Sequence, residues 1–217
     1  EALTELFFYN YGLTEDEMRT GITAGVIARG MFPIFCASAK KNMGVGRFME
    51  FLTNVAPSAD ELGSVTASDG TEVKADSAAG TSIFVFKTSV ESHIGEINFF
   101  KVMSGTLKEG DDLTNNTTRN KERLSQIFAP LGKNREKVTS MVAGDIGCTV
   151  KMKNTKTIHT RTSPELSVEF NHVPFPEPKF RTAIRPVTEG DEEKLGEALT
   201  RINQEDPTVQ IEYSKEL

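Results

Sequence analysis

Between Ile97 and Met152 the chain runs only a few residues at a time before a turn residue stops it, and this spacing limits the possible folds more than any other feature. Ile97, Phe99 and Val102 stand among polar residues ahead of Ser104-Gly105, and Leu107 precedes the turn Lys108-Glu109-Gly110-Asp111. Leu124, Ile127 and Phe128 follow, then Met141-Val142, Gly144-Asp145-Ile146-Gly147 and Cys148-Thr149-Val150. Short β-rich runs broken by Gly/Asp turns leave no room for crossover helices, so they predict a closed antiparallel barrel or a sandwich. Gly110, Gly144 and Gly147 are expected where turns or bulges need positive φ.

The flanks differ in kind. Thr14-Glu15-Asp16-Glu17 has the capping-box arrangement, with acidic residues facing the positive end of the helix dipole. Met18, Ile22, Val26 and Ile27 follow at helical spacing and predict a helix from about Glu15 to Arg29, weakened by Gly21 and Gly25. The apolar run Phe32 to Ala37 predicts a strand covered on both faces, as in a parallel sheet. A polar loop, Ser38 to Asn42, separates it from an amphipathic helix marked by Val45, Phe48, Met49, Leu52 and Val55. Open α/β sheets place ligands at such a loop, beyond the carboxyl end of a strand.

Residues 54–81, rich in Ala, Ser, Asp and Gly, read as a linker with a strand or hairpin around Asp69-Gly70. At the other end, Phe175-Pro176-Glu177-Pro178 stiffens the chain ahead of a strand expected over Phe180 to Arg185. Leu195, Ala198, Leu199 and Ile202 form one helix face, and Val209, Ile211 and Tyr213 alternate as a strand. Strand, helix, strand is half of a ferredoxin-like domain.

Composition narrows the partners. No apolar run approaches the ~20 residues that span a bilayer, so membrane insertion is not expected. Cys36 and Cys148 lie in apolar runs and are expected as buried, reduced thiols, while His93, His159 and His172 lack metal-ligand spacing. Glu1 to Thr4 has neither an initiator Met nor the start of a signal peptide, which predicts an excised or incomplete piece of a cytosolic protein. Net charge is −6, yet Asn98 to Arg161 holds 12 Lys/Arg against 6 Asp/Glu, leaving that region at +6 and the remainder at −12. A basic barrel in an acidic chain suits a phosphate-rich partner with salt-sensitive affinity; equally, Lys133, Arg135 and Lys137 could only keep a loop solvated.

The ordered run Phe99-Phe100-Lys101-Val102-Met103-Ser104-Gly105-Thr106-Leu107-Lys108-Glu109-Gly110-Asp111 resembles the second-domain barrel of translational GTPases, most closely the elongation factor G family, whose pattern reads R-V-x-S-G-x-L-x-x-G-D. Lys121-Glu122-Arg123, the loop Gly132 to Val138, and Ala143-Gly144-Asp145-Ile146-Gly147 continue the likeness. Cys36 to Val45 is similar to the end of that family's nucleotide domain, and Phe-Pro-Glu-Pro with Glu205-Asp206-Pro207-Thr208 to the opening of its third domain. Three departures stand out: Ala37 replaces a usual Gly, Lys40 stands where an aromatic or Leu is frequent, and Ile158-His159-Thr160-Arg161 replaces a Gly-Asp-Thr-Leu turn, the last as in a divergent relative or paralogue.

The resemblance implies a multidomain α/β + β chain. Residues 1–57 would be the C-terminal remnant of a P-loop GTPase α/β domain, 58–82 a linker, 83–161 the translation-factor β-barrel, 162–174 a linker, and 175–217 the first half of a ferredoxin-like α+β domain. It also implies an elongation factor G-like ribosomal translocase GTPase, cytoplasmic and monomeric, acting in protein synthesis with its barrel docked on small-subunit rRNA and proteins, and without DNA or membrane partners. Alternatives are a related ribosome-binding GTPase, of the tetracycline-resistance ribosomal protection or release-factor type, or a non-enzymatic RNA-binding barrel. In the guanine loop, the Ala39 N–H would meet the base, Ser38 would brace the loop and Lys40 would lie along the ring. Arg119, Lys121, Arg123, Lys133, Arg135 and Lys137 are the candidate RNA contacts. GTP and Mg²⁺ would belong to the parent protein only. These residues contain neither G-x-x-x-x-G-K-S/T nor N-K-x-D, and Asp60-Glu61-Leu62-Gly63 falls too late to serve as a switch motif, so the chain alone is expected to be inactive, with no catalytic or metal residue.

Overall fold

The structure, a computed structural model, describes every residue except 1, 11, 92, 151, 153, 189 and 213–217. It divides into two compact units, Glu1–Gly63 and Ser64–Leu217.

Among its described residues the first unit holds three helices, α1 Ala2–Asn10, α2 Glu15–Ile27 and α3 Val45–Asn54. At the start of α2 the capping box forms: Glu17 N–H donates to Thr14 Oγ1 at 3.3 Å and Thr14 N–H to Glu17 Oε2 at 2.8 Å. The helix stops at Ile27 rather than Arg29, because Arg29 takes φ 55° and the Gly25 carbonyl accepts from both Gly30 and Met31. No apolar stripe in the sequence announces α1.

The strand expected over Phe32 to Ala37 is not formed. A strand needs a neighbour to pair with, and the described residues of this unit supply only a bridge between Ser38 and Met43. The run joins no ladder among the described residues, with Phe32 77% and Ile34 92% exposed, and Cys36 is exposed rather than buried. Phe35 packs its ring edge-on to Phe48 and Phe51 of α3 at centroid distances of 5.2 and 4.9 Å.

In the second unit a short hairpin, β1 Ser64–Thr66 and β2 Glu72–Lys74, turns at Asp69-Gly70 as expected. The barrel strands are β3 Ser82–Glu91, β4 Gly95–Ser104, β5 Thr106–Lys108, β6 Asp112–Asn115, β7 Lys121–Arg123, β8 Ile127–Leu131, β9 Asn134–Val138, β10 Ser140–Val142, β11 Ile146–Val150 and β12 Thr160–Thr162. Eight form one antiparallel sheet in the order β7-β6-β12-β3-β4-β11-β8-β9, with β5 and β10 paired beside it. Residues from the strands next to each end of this order, Leu113 of β6 and Ile127 of β8, share one core with Ile83, Val85, Phe100, Val102, Leu107 and Met141, so the sheet wraps around a single interior.

A smaller cluster joins the hairpin to the segment after β12. Ala67 and Val73 pack with Val168 and Phe170, and against Phe84 and Met103 on the barrel's outer side. The two stretches read as linkers are thus packed together.

Two glycines act through space. Gly105, at φ 77°, brings its α-carbon against Thr81, where a Cβ would lie 2.5 Å from the Thr81 Cα. Gly147 was expected at positive φ; it lies in β11 and is instead required by proximity, since a Cβ there would sit 2.8 Å from Phe100 Cζ and against Met141 Sδ. Gly110 and Gly144 do take positive φ, 89° and 99°.

After Phe175 the helix α4 Glu192–Glu205 forms as expected. Phe180 to Arg185 is not a strand, and described residues 209–212 join no ladder; Tyr213 lies outside the described residues. Alternation marks what a strand could be, whereas forming one takes a paired edge.

Candidate functional site

The basic residues lie on the two strands that end the sheet order, β7 and β9, or in the turns just before them. In β7, paired with β6 so that Leu113 opposes Glu122, the period of two turns Glu122 toward the interior with Leu113 and leaves Lys121 and Arg123 exposed together on the outer face. Arg119 sits just before, at φ 61°, on a turn fixed by buried Asn115, whose Oδ1 accepts from the amides of Thr117 and Thr118 at 3.1 and 3.2 Å. Arg123 lies against the β5–β6 turn, its Nη2 3.3 Å from where a Cβ on Gly110 would be.

Arg135 and Lys137 of β9 fall on one face by the same period, with Lys133 in the turn just before the strand, but the three are not equivalent. Lys133 is exposed beside Gly132. Arg135, only 18% exposed, pairs with Glu91 at the end of β3, and Lys137 Nζ meets Glu109 Oε1 at 2.7 Å. Lys137 and Arg123 therefore flank one turn, 108–111, from the two ends of the sheet. Arg119, Lys121, Arg123 and Lys133 are exposed cations; Arg135 and Lys137 already hold carboxylates. Sequence spacing found the six cations, whereas Glu91 and Glu109, far away in the chain, carried no local signal.

Behind this face lies a charged pair that the sequence did not announce. Arg161 of β12 opposes Ile83 and Asn115 in the ladder and so points inward with them. Its Nη2 donates to Glu122 Oε2 at 2.5 Å and to Thr155 Oγ1, while Nε and Nη1 are buried without a partner among the described residues. Burial lowers the Arg161 pKa and the Glu122 carboxylate opposes that shift. Next to it, His159 Nδ1 meets Asn115 Nδ2 at 2.9 Å, and burial, then the Arg161 cation, pushes the imidazole below its ordinary value. Glu96, half-buried with Asn98 donating to it, is pushed up by burial.

The loop proposed for guanine is tight. Ser38 N–H donates to Met43 O at 2.9 Å, Met43 N–H returns to Ser38 O at 3.1 Å, and Asn42 N–H donates to Ala39 O. Among the described residues nothing accepts from the Ala39 N–H, and Ala39 and Lys40 are exposed. That geometry fits a backbone donor offered to a carbonyl oxygen, but it provides nothing for phosphates. No group of His, Cys, Asp and Glu among the described residues could hold a metal ion. No helix there is long and apolar enough to cross a membrane.

Residues 80–160 match the family model of elongation factor G domain 2, and residues 175–216 that of elongation factor G domain III. Among solved structures, a crystal structure from Thermus thermophilus superposes over the whole of this chain at 24% identity and a TM-score of 0.80. The match covers 31% of that chain, so the residues described above span under a third of it.

Proposed function

We propose, for a chain that belongs to the elongation factor G family of translation factors through its domains 2 and III, that its full-length protein is a cytoplasmic, monomeric ribosomal translocase GTPase in protein synthesis, and that the barrel docks on small-subunit RNA. The observation that supports this most is the outer face of β7, where Arg119, Lys121 and Arg123 stand exposed together while Glu122 between them turns inward to Arg161. A strand that turns its acid inward and displays its bases offers phosphate a cationic surface, with exposed Asp112 of β6 standing across from Arg123 as its nearest cross-strand acid.

Arg135 and Lys137 take a different role in this reading. Phosphate must displace Glu91 and Glu109 from them, so they contribute less to affinity than the four exposed cations. In the first unit, Ala39 N–H and Lys40 would meet the guanine of GTP with Ser38 bracing the loop, and the triphosphate and Mg²⁺ find no motif among these residues. GTP hydrolysis would supply the switch that changes the angle between domains; by itself this chain holds no nucleotide.

Co-sedimentation of the full-length protein with ribosomes, with and without a non-hydrolysable GTP analogue, tests the proposal. Pelleting that rises with the analogue supports it. Binding that ignores nucleotide points to an RNA-binding barrel without a GTPase cycle, and no pelleting under either condition rejects ribosome binding.

A further inference from the structure

Strand β3 pairs with β4 from Ser82 to Glu91, but on its other edge it pairs with β12 only from Ser82 to Phe84. Val85 then exchanges hydrogen bonds with the turn that precedes β12, donating to His159 O at 3.0 Å and accepting from Ile158 N–H at 2.7 Å. Farther along, at Val90, the edge is taken by side chains. Val90 N–H donates to Glu205 Oε1 at 2.6 Å, and Val90 O accepts from Arg201 Nη2 at 2.6 Å.

Arg201 and Glu205 are four residues apart on α4 and so lie on one helix face. Together they give the strand one donor and one acceptor, as a residue of a neighbouring strand would. The helix buries little apolar surface: no described residue of α4 is buried, Leu195 and Leu199 are half-buried, Ile202 is 45% exposed, and Asn203 and Gln204 face the polar groups Thr88, Glu96 and Lys156 across a small cavity. Where apolar burial is this small, two charge-assisted hydrogen bonds at a solvent-exposed edge decide the attachment, and water competes for both.

We propose that Arg201 and Glu205 form a releasable latch, which holds α4 against the open edge of β3 at Val90 and lets the helical module swing away from the barrel when it opens. The latch acts through one residue's backbone, so it fixes the position of α4 along the strand without requiring any particular side chain at position 90.

Residue-resolved hydrogen exchange on the full-length protein tests this. Glu205→Ala and Arg201→Ala each speed exchange of the Val90 amide about tenfold, the size expected for loss of one charged hydrogen bond. The Val102 and Cys148 amides keep their protection and report that the barrel is intact. Glu205→Gln, which keeps an acceptor, restores most of the protection. Spin labels at the exposed positions Lys74 and Glu193 give one narrow distance in the wild type and a broadened distribution in the R201A/E205A variant. Unchanged Val90 exchange in Glu205→Ala, or a distance distribution that stays narrow in the double variant, overturns the latch.

Discussion

Arg161 donates to Glu122 at 2.5 Å inside the barrel, and the arginine side chain has no exposure to solvent. Among the described residues, a guanidinium enclosed this way finds hydrogen-bond acceptors only in its carboxylate and Thr155, so each member of the pair holds the other in place. The same contact draws Glu122 away from the surface on which Lys121 and Arg123 are displayed.

Removing one member of that pair strands the other. Arg161→Ala lowers unfolding free energy by roughly 3 kcal/mol, as for other buried pairs broken on one side, whereas Arg161→Met with Glu122→Leu stays within about 1 kcal/mol of the wild type. Urea unfolding of both variants checks the difference.

Crowding separates two glycines. Gly147→Ala forces Met141 and Phe100 to give way and costs about 1–3 kcal/mol, since the sulfur end of Met141 can move. Gly105→Ala meets the Thr81 backbone and carries the positive φ as well, so it lowers the melting temperature further than Gly147→Ala does.

Most of the barrel was legible in the sequence because its turns carry Gly and Asp at fixed offsets and its strands alternate. Gly147 shows the limit: a glycine can be read from a sequence, but whether it serves backbone angle or room for Phe100 depends on a residue on the neighbouring strand. The run Phe32 to Ala37 has the composition of a buried strand, yet pairing is a relation between segments, and no single segment encodes it. For the candidate site, the six cations were visible, whereas the carboxylates that occupy two of them and the inward turn of Glu122 depend on contacts distant in sequence. Arg161 gave no sign of burial, because a charged residue beside a turn reads as solvated.

Ile158 takes φ 74°, a region that strains a β-branched residue, where the family pattern has glycine. Ile158→Gly relieves about 1–3 kcal/mol of strain against a smaller entropic cost and some lost burial. The urea midpoint therefore holds or rises; a clear drop contradicts the assignment of strain.

His159 sets a pH dependence of known sign. Burial, then the Arg161 cation, lowers its folded pKa below 6.5, so the unfolded chain binds the proton first. Its contribution to stability is complete above that value and is lost as the pH falls toward the folded pKa. Glu96 has the opposite sign: raised by burial, its contribution is complete below 4.5 and lost as the pH rises through the folded pKa. Urea unfolding at about pH 7.5 and about pH 5.5 should show a smaller difference in His159→Asn than in the wild type.

The account rests on the outer face of β7 meeting RNA phosphate. Ribosome binding by the full-length protein, measured over a range of salt with the guanine nucleotide analogue present, tests this for the wild type and for Lys121→Glu with Arg123→Glu. The double variant is expected to bind more weakly and to lose about one unit of salt slope for each cation removed. Unchanged affinity and an unchanged slope would contradict the assignment of this face.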